Sequence, residues 1–441
     1  MKLQILFALF ILFLLGCTTI SPQAPSNPVV GLLSFKQLDD SKATNEGLNE
    51  IVTANNSFAI DYYNKLDANP TNVGKNIFFS PFSISTALAM TYEGADRKTA
   101  EEMRNVFYFP ENDLVRQSSF AKLFNSLNEN ASKGNYQLSI ANALWNEQTY
   151  EFKESFYDTI DKYYYGKSTP VDFKKAPEEQ RQLINKWVMD QTNQKVKELL
   201  PAQPPAIRAD TKLVLVNAIY FKGDWASKFK SEDTITSDFF INSETKVTTK
   251  MMQQNNKFNY LDDGTFQYLE LPYKGDDMSM IVLLPKGIQT DCEINTDCES
   301  NVYKPVYDFS IPSTKDLFTA RENMTKNKVE VHLPKFKFEA EYQMKKDLNE
   351  MGVIEAFTDF ADFSKMDAAN YVKIDQVYHK AFIEVNEEGS EAAAATAVVM
   401  VEKTSVELPT VFNANHPFAF YIIDNKTKEI LFLGKMVDPT N

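Results

Sequence analysis

The sequence predicts one large α+β domain, and three observations support this fold class. First, 43% of the 441 residues are hydrophobic, with 33 Phe and 20 Tyr, which provides apolar surface for a large core. Second, helical and strand patterns mingle from about residue 51 onward, without an internal repeat or a second linker. Third, Leu213–Phe221 (LVLVNAIYF) is almost continuously apolar, which is typical of a central strand buried on both faces.

Helix signals are clearest in the N-terminal half. Asn56 and Ser57 are candidate caps for a first helix, and Ser80–Pro81 opens a second helix that ends at Gly94. Capping-box spacing begins at Thr99. Apolar residues at helical spacing mark the first helix and two later ones, the last stopping before Pro201: Phe58, Tyr62 and Leu66; Phe152, Phe156, Ile160 and Tyr164; Leu183, Trp187 and Val196.

Strand signals dominate the C-terminal half. Leu138, Ile140 and Leu144 alternate with polar neighbours and predict a strand before the central one. Further strands are predicted in MSMIVLLP, in KVEVHLPKF and in AFYIIDNKTKEILFLG, where Asn425–Lys428 supplies the turn of a hairpin.

Charge and rare residues exclude several classes of function. The 46 basic and 60 acidic residues give a net charge of −14, which argues against a nucleic-acid partner. Only three His and three Cys are present, and they are scattered along the chain. Few residues are therefore available to form a Ser-His-Asp triad or a zinc site. Acidic pairs are unavoidable among 60 carboxylates and none stands out as a glycosidase pair. We therefore expect no metal, no cofactor and no catalytic residues.

The N-terminus has the pattern of a secretory signal. Lys2 precedes an apolar run from Ile5 to Leu15 that is short for a membrane span. The sequence LLGC at Leu14–Cys17 resembles a bacterial lipobox, in which cleavage before the Cys leaves its thiol as the lipid acceptor. We predict a signal peptide at 1–16 and an extracytoplasmic protein that is lipid-anchored through Cys17 to a membrane or cell surface. An ordinary signal peptide and an uncleaved anchor are the alternatives.

Residues 17–50 are predicted to be the lipidated N-terminus and a flexible linker, because Ser, Pro, Asn and Thr dominate there and aromatic residues are few. The folded domain is then 51–441. Within it, Cys292 and Cys298 are separated by five residues in a polar stretch. A disulfide between them would close a small loop in an oxidising compartment, and two free thiols are the alternative. The spacing does not fit a metal site.

Four segments of the chain resemble the serpin superfamily of serine protease inhibitors, of a prokaryotic type with a lipoprotein signal. They are NIFFSPFSISTALAMTYEGA from Asn76, LVLVNAIYFKGDWASKF from Leu213, HKAFIEVNEEGSEAAAATA from His379, and NHPFAFYIIDNKTKEILFLGKMVDP from Asn415. Together they frame residues 51–441, so the resemblance is specific. It implies a serpin fold with three β-sheets, surrounding helices and an exposed reactive-centre loop.

The resemblance also implies roles for individual residues. Ser80, Ser83, Asn217 and His379 match the hydrogen-bonded shutter of the family, and Trp225 matches the tryptophan near the point where the loop enters the main sheet. His379 is equally expected to be a satisfied core histidine, and we do not assign it as a base. The implied activity is inhibition by a suicide-substrate route, not catalysis.

The segment EEGSEAAAATAVVMVEKT at 387–404 suits insertion into a sheet. If Gly389 and Ser390 form a hinge, the residues that follow can become a strand whose alternate side chains face opposite sides. Glu391 lies on one face, and the other face is free of charge and begins with small residues, so it can be buried without an ion. Helix propensity alone favours a surface helix here, and only the flanking motifs favour a loop. The insertion face carries Ser390, Ala392, Ala394, Thr396, Val398 and Met400.

The resemblance places the scissile bond at Lys403–Thr404, fourteen residues beyond Gly389. A Lys at this point suits trypsin-like proteases, which have an acid at the base of the specificity pocket. A shift of register would bring Glu402 or Met400 to the bond instead. Insertion after cleavage, with trapping of the acyl-enzyme, belongs to the family resemblance and not to the spacing.

The leading hypothesis is a monomeric, surface-tethered inhibitor of a trypsin-like serine protease that contacts the membrane only through its lipid. The alternative is a non-inhibitory serpin-fold lipoprotein with a binding or chaperone-like role. The alternative is disfavoured because the hinge carries Gly389, Ser390 and a run of Ala where charged or bulky residues would indicate lost insertion.

Overall fold

Helices and strands mix along the chain in an α+β fold, as the sequence predicts. The computed structural model describes residues 36–164, 166–290, 302–304, 306–390 and 409–441. Its helices are α1 Asn45–Asp67, α2 Pro81–Tyr92, α3 Arg97–Phe107, α4 Asp113–Ser132, α5 Glu154–Tyr163, α6 Pro177–Gln191, α7 Thr314–Glu322 and α8 Lys345–Met351, with short 3₁₀ helices at Pro70–Asn72, Ser231–Asp233 and Glu355–Phe357. None of the helices in these ranges is both long enough and apolar enough to cross a membrane.

The strands form a large sheet, a second sheet and a small hairpin pair. They are β1 Ile77–Phe79, β2 Tyr136–Glu147, β3 Lys167–Val171, β4 Leu213–Asp224, β5 Ile235–Phe240, β6 Lys246–Asp262, β7 Phe266–Pro272, β8 Met278–Pro285, β9 Ile288–Thr290, β10 Val302–Lys304, β11 Thr325–Pro334, β12 Phe336–Gln343, β13 Gln376–Val385, β14 Gly389–Ser390, β15 Thr410–Asn413, β16 Phe418–Asp424 and β17 Ile430–Met436.

Strand order is distinctive in both sheets. Among the described residues, sheet 1 has the order β1-β17-β16-β8-β7-β6-β11-β15, with β5 beside β6. Sheet 2 has the order β12-β13-β4-β2-β3, with β14 also beside β4, and β9 pairs with β10. The last strands of the chain, β16 and β17, thus lie between β1 and β8 in sheet 1.

Two elements near the site form for the predicted reasons. The Ser80 hydroxyl accepts a hydrogen bond from the Ser83 backbone N–H at 3.1 Å, and Pro81 occupies the first turn, so α2 begins where the sequence indicates. Strand β4 is buried along most of its length between antiparallel β2 and parallel β13. The predicted central strand is therefore confirmed.

The folded unit begins at Gln37, whereas the sequence prediction extends the linker to residue 50. Leu38 is only 2% exposed, and its backbone N–H and C=O both bond to the Asn125 side chain at 3.0 Å. Helix α1 starts at Asn45 behind the Thr44 cap, so the proposed cap Asn56 lies in mid-helix. Its side chain instead bonds to the backbone of the β16–β17 hairpin, a long-range partner that local sequence does not reveal.

Two other helix ends differ from the sequence prediction. Helix α3 begins at Arg97, so Thr99 is inside it, and the Thr99 hydroxyl accepts from the Asp362 backbone N–H at 2.9 Å. Helix α6 ends at Gln191 because Asn193 and Gln194 have positive φ angles of 50° and 64°, which a helix does not accommodate. Val196 therefore packs outside the helix.

Side chains of β4 alternate between two hydrophobic clusters. One set lies in the main core between the two sheets, and the other packs with Ile184 and Val188 of α6 on the opposite face of sheet 2. The main core receives Leu213, Leu215, Ile219 and Phe221, and the α6 side receives Val214, Val216 and Ala218. This alternation determines which side chains of a strand paired with β4 face the main core.

The β16–β17 hairpin buries two acids side by side. The Asp424 backbone N–H donates to the Glu429 carbonyl at 3.0 Å. Glu429 is 0% exposed, and within the described residues neither of its carboxyl oxygens has a hydrogen-bond partner. Burial, together with the nearby charge of Asp424, raises the pKa of Glu429 well above its usual value. Burial therefore favours the protonated, uncharged form of this carboxyl.

Candidate functional site

Strand β14 lies at the end of sheet 2 where β13 and β4 no longer pair, and we call this position the entrance. The parallel pairing of β13 with β4 ends at Phe382 and Tyr220. Strand β2 occupies the other edge of β4 as far as Gly223. Because β14 pairs antiparallel with Gly223 and Asp224, it lies on the same edge of β4 as β13, beyond the last β13 pair. Its two residues run antiparallel to β4, and therefore also antiparallel to β13.

Gly389 fits this entrance because it has no side chain. Its φ of +155° is a conformation that L side chains rarely adopt, and a Cβ there would lie 2.0 Å from the Gly223 carbonyl oxygen. The Asn386 N–H donates to the Gly389 carbonyl at 2.9 Å, which closes a tight turn before β14. Glycine is therefore required for the backbone of this segment to approach β4.

Ser390 and Trp225 are held at the same entrance by Tyr273. The Ser390 and Tyr273 hydroxyls lie 2.8 Å apart and are buried. The Tyr273 ring stacks on Trp225, with centroids 4.7 Å apart and planes 12° apart. The Trp225 indole N–H donates to the Asn386 carbonyl at 3.0 Å, and its backbone N–H donates to the Glu388 carbonyl at 2.8 Å. Trp225 thus fixes the segment that leads into β14.

Two acids that precede the hinge are tied to neighbouring strands. The Glu387 carboxylate accepts from Lys335 Nζ at 2.7 Å and from the Thr234 hydroxyl at 2.9 Å. Burial acts to raise the pKa of Glu387, but these hydrogen bonds outweigh it and hold the pKa below its usual value. Glu388 forms an ion pair with Lys228. These contacts anchor the chain before the hinge.

A buried polar cluster lies below the entrance, between α2 and sheet 2. The Asn217 amide nitrogen is 2.5 Å from Ser83 Oγ, 2.6 Å from the Ser83 carbonyl oxygen and 2.5 Å from Asn142 Oδ1. The Ser80 backbone N–H donates to His379 Nε2 at 3.1 Å, and His379 Nδ1 contacts Asn217 Oδ1. The cluster links α2 to β2, β4 and β13.

His379 is a neutral structural group in this cluster. Its Nε2 accepts a hydrogen bond from Ser80, so the ring proton is on Nδ1 and is donated to Asn217. Complete burial lowers the pKa of His379 to about 3. The imidazole therefore stays uncharged at physiological pH and serves to join β13 to β4.

Comparison with known proteins assigns the family. The Serpin (serine protease inhibitor) family model matches residues 53–439. The chain belongs to the serpin family. A serpin-like protein of Methanosarcina acetivorans is 38% identical, with 99% of each chain covered. The leukocyte elastase inhibitor of Xenopus laevis is 41% identical over 87% of this chain and 97% of the relative.

The fold agrees with solved serpin structures. Uncleaved ovalbumin superposes with a TM-score of 0.73 at 29% identity, covering 88% of this chain and all of the ovalbumin chain. The serpin fold expected from the four sequence segments is thus confirmed. Serpins are protease inhibitors and not enzymes, although some members do not inhibit.

The structure brings together the serpin residues proposed for the shutter and for the entrance. Ser80, Ser83, Asn217 and His379 share one hydrogen-bonded cluster, and Trp225 lies beside Gly389 and Ser390 at the entrance. The other proposed residues lie outside the described ranges, namely Cys17, Cys292, Cys298, Ala392, Ala394, Thr396, Lys403 and Thr404.

Asn142 and Tyr273 are among the site residues that sequence reasoning missed. Asn142 faces Asn217 across β2 and β4, and each is an Asn followed by Ala within a strand. An Asn-Ala pair that recurs within two predicted strands is a signal from which the pairing can be inferred. Tyr273 gives no such signal, because its partner Ser390 is 117 residues away.

Proposed function

We propose that this serpin inhibits trypsin-like serine proteases by a suicide-substrate mechanism, with cleavage at Lys403–Thr404. The observation that carries the proposal is the antiparallel pairing of Gly389 and Ser390 with Asp224 and Gly223. This pairing fixes the register in which the rest of the segment would extend along β4.

Insertion in this register would turn the small residues of the segment toward the core. Extending the pairing one residue at a time brings Ala394 opposite Ile219, and Thr396 opposite Asn217 of the shutter. Directly opposite side chains of an antiparallel pair point to the same face. Since Ile219 faces the main core, Ala394 would face it too, which supports the insertion face inferred from alternation.

Insertion would also increase the number of backbone hydrogen bonds between strands. Strands β13 and β4 pair in parallel from Gln376 and Val214 to Phe382 and Tyr220. A strand that enters between them runs antiparallel to both, so one parallel ladder is replaced by two antiparallel ladders. The inserted segment exchanges water for protein as its hydrogen-bond partner on both edges, and this gain provides the driving force.

The chemistry follows that of serine proteases up to the acyl-enzyme. The protease serine oxygen attacks the Lys403 carbonyl carbon while the protease histidine takes the serine proton. The C–N bond to Thr404 then breaks, and the same proton passes to the leaving Thr404 amine. Insertion carries the ester-linked protease along the sheet and disturbs the geometry of its oxyanion hole, so water no longer hydrolyses the ester efficiently.

Lys403 sets the proposed class of target. A basic side chain needs an acid at the base of the specificity pocket, whereas elastase has a small pocket. The Xenopus relative is named for leukocyte elastase, and this chain would differ from it in specificity because of Lys403. The net charge of −14 would also favour the approach of a basic protease.

Incubation with trypsin tests the proposal. We expect an SDS-resistant complex and a new N-terminus at Thr404 in the released peptide. The Lys403→Glu variant should lose inhibition of trypsin by more than about 100-fold, because the acid of the pocket would meet a like charge. Cleavage after Lys403 without any complex would favour the non-inhibitory alternative and overturn the proposal.

We also propose that the chain is lipid-anchored outside the cytoplasm through Cys17, at the end of the apolar segment Ile5–Leu15. Cells that express the full chain should incorporate labelled palmitate into it, and Cys17→Ser should abolish the label. Equal labelling of the two proteins would contradict this assignment.

A further inference from the structure

We propose that Tyr273 is a positioning residue whose hydroxyl latches Ser390, so that the first rung of insertion is already formed before cleavage. This inference rests on the proposed inhibitory function. It concerns which described side chain keeps the hinge at the entrance, and not the path of the residues that follow.

The two hydroxyls form a buried pair. They are 2.8 Å apart, Ser390 is 1% exposed and Tyr273 is 0% exposed. Within the described residues each hydroxyl has the other as its hydrogen-bond partner. A buried hydroxyl without a partner is costly, so each group stabilises the placement of the other.

The Tyr273 ring is fixed, so its hydroxyl is presented at one point. The ring stacks on Trp225 at 4.7 Å and meets Phe221 edge-on at 5.0 Å. A Cβ on Gly223 would lie 2.7 Å from the Tyr273 ring, so glycine at the position opposite Ser390 allows this close packing. Tyr273 follows β7 of sheet 1, and it therefore ties the hinge in sheet 2 to a different sheet.

A preformed first rung favours insertion over hydrolysis. Ordering each backbone residue costs conformational entropy, and with Ser390 in place that cost has already been met for the hinge. After cleavage, extension along β4 competes with water for the acyl-enzyme. A hinge that has left the entrance must return to it before insertion can start. The acyl-enzyme therefore has longer to be hydrolysed.

The Tyr273→Phe variant tests the latch. Phe keeps the ring and its stacking but leaves the Ser390 hydroxyl unpartnered. We expect amide hydrogen exchange in a peptide covering 386–390 to be about fivefold faster, and the moles of inhibitor consumed per mole of trypsin to rise at least about twofold. The association rate with trypsin should not fall, since recognition of Lys403 is unchanged.

Three further variants separate the latch from general packing. Ser390→Ala and the double variant Tyr273→Phe/Ser390→Ala both lack the hydrogen bond between the two hydroxyls, so both should exchange faster than the wild type and the effects of the two single substitutions should not add. Tyr421→Phe removes a buried hydroxyl that has no partner among the described residues, and it should leave exchange at 386–390 unchanged. Wild-type exchange and stoichiometry in Tyr273→Phe, or fully additive effects of the two substitutions in the double variant, would overturn the proposal.

The exchange experiment needs no protease. If the wild-type chain formed no complex with trypsin, the proposed function would fail, while faster exchange in Tyr273→Phe would still identify the latch. If complexes form and exchange is unaffected, the latch alone fails.

Discussion

The Ala394→Arg variant should be a substrate of trypsin and no longer an inhibitor. If the proposed insertion continues the register of Gly389 and Ser390, position 394 would lie opposite Ile219, whose side chain is in the main core. Insertion would carry a guanidinium and its volume toward the hydrophobic cluster that contains Ile219. A cost of more than about 1.4 kcal/mol slows insertion more than about tenfold, so deacylation finishes first.

The expected result is a large rise in the moles of inhibitor consumed per mole of trypsin, with the cleaved chain accumulating and little complex on SDS gels. Ser405→Arg is the matched control, because it adds the same side chain beyond the scissile bond, in the part that stays behind on cleavage. Stoichiometry near one for Ala394→Arg would show that position 394 does not face the core.

The Glu429→Gln variant should become progressively more stable than the wild type as pH rises. The pKa of Glu429 is raised in the folded protein. Its protonation therefore makes its full contribution to the free energy of unfolding below the unfolded pKa of about 4.3, and this contribution is lost as pH rises toward the folded pKa. Gln carries no proton to lose. The difference in free energy of unfolding should widen by about 1.4 kcal/mol for each pH unit between those two values.

Urea unfolding followed by circular dichroism between pH 4 and 9 measures this difference. The informative quantity is the slope against pH, since a buried amide has its own cost at every pH. Glu322→Gln is the control, because its exposed carboxylate pairs with Lys428 and has a lowered pKa, so the variant gains nothing at alkaline pH. Parallel curves for wild type and Glu429→Gln would contradict a protonated buried carboxyl.

Local sequence signals predict the elements that depend on interactions within a few residues. The Ser80 cap with Pro81, and the unbroken apolar run of β4, act over a few residues, and the structure has both elements where the sequence indicates them. The sequence misplaces the start of α1, because the Asn56 side chain forms its hydrogen bonds with the backbone of the β16–β17 hairpin, more than 370 residues away. A buried polar residue with a remote partner looks like a cap when only its neighbours are known.

The same distinction applies to the residues of the site. Residues that lie within family motifs, such as Asn217 and Trp225, could be placed from the sequence. The contact of Tyr273 with Ser390 could not, because it depends on how two sheets approach each other. The ion pair of Glu387 with Lys335 is likewise decided by the turn before β14 and not by any spacing.

The position of β16 and β17 inside sheet 1 has a consequence for a chain cut at Lys403–Thr404. The C-terminal piece, residues 404–441, is 38 residues long and contributes two interior strands, hydrogen-bonded to β1 on one side and β8 on the other. It would remain embedded after the peptide bond is gone. The nicked molecule is then a two-chain assembly held only by non-covalent contacts, and its unfolding becomes a dissociation that dilution promotes.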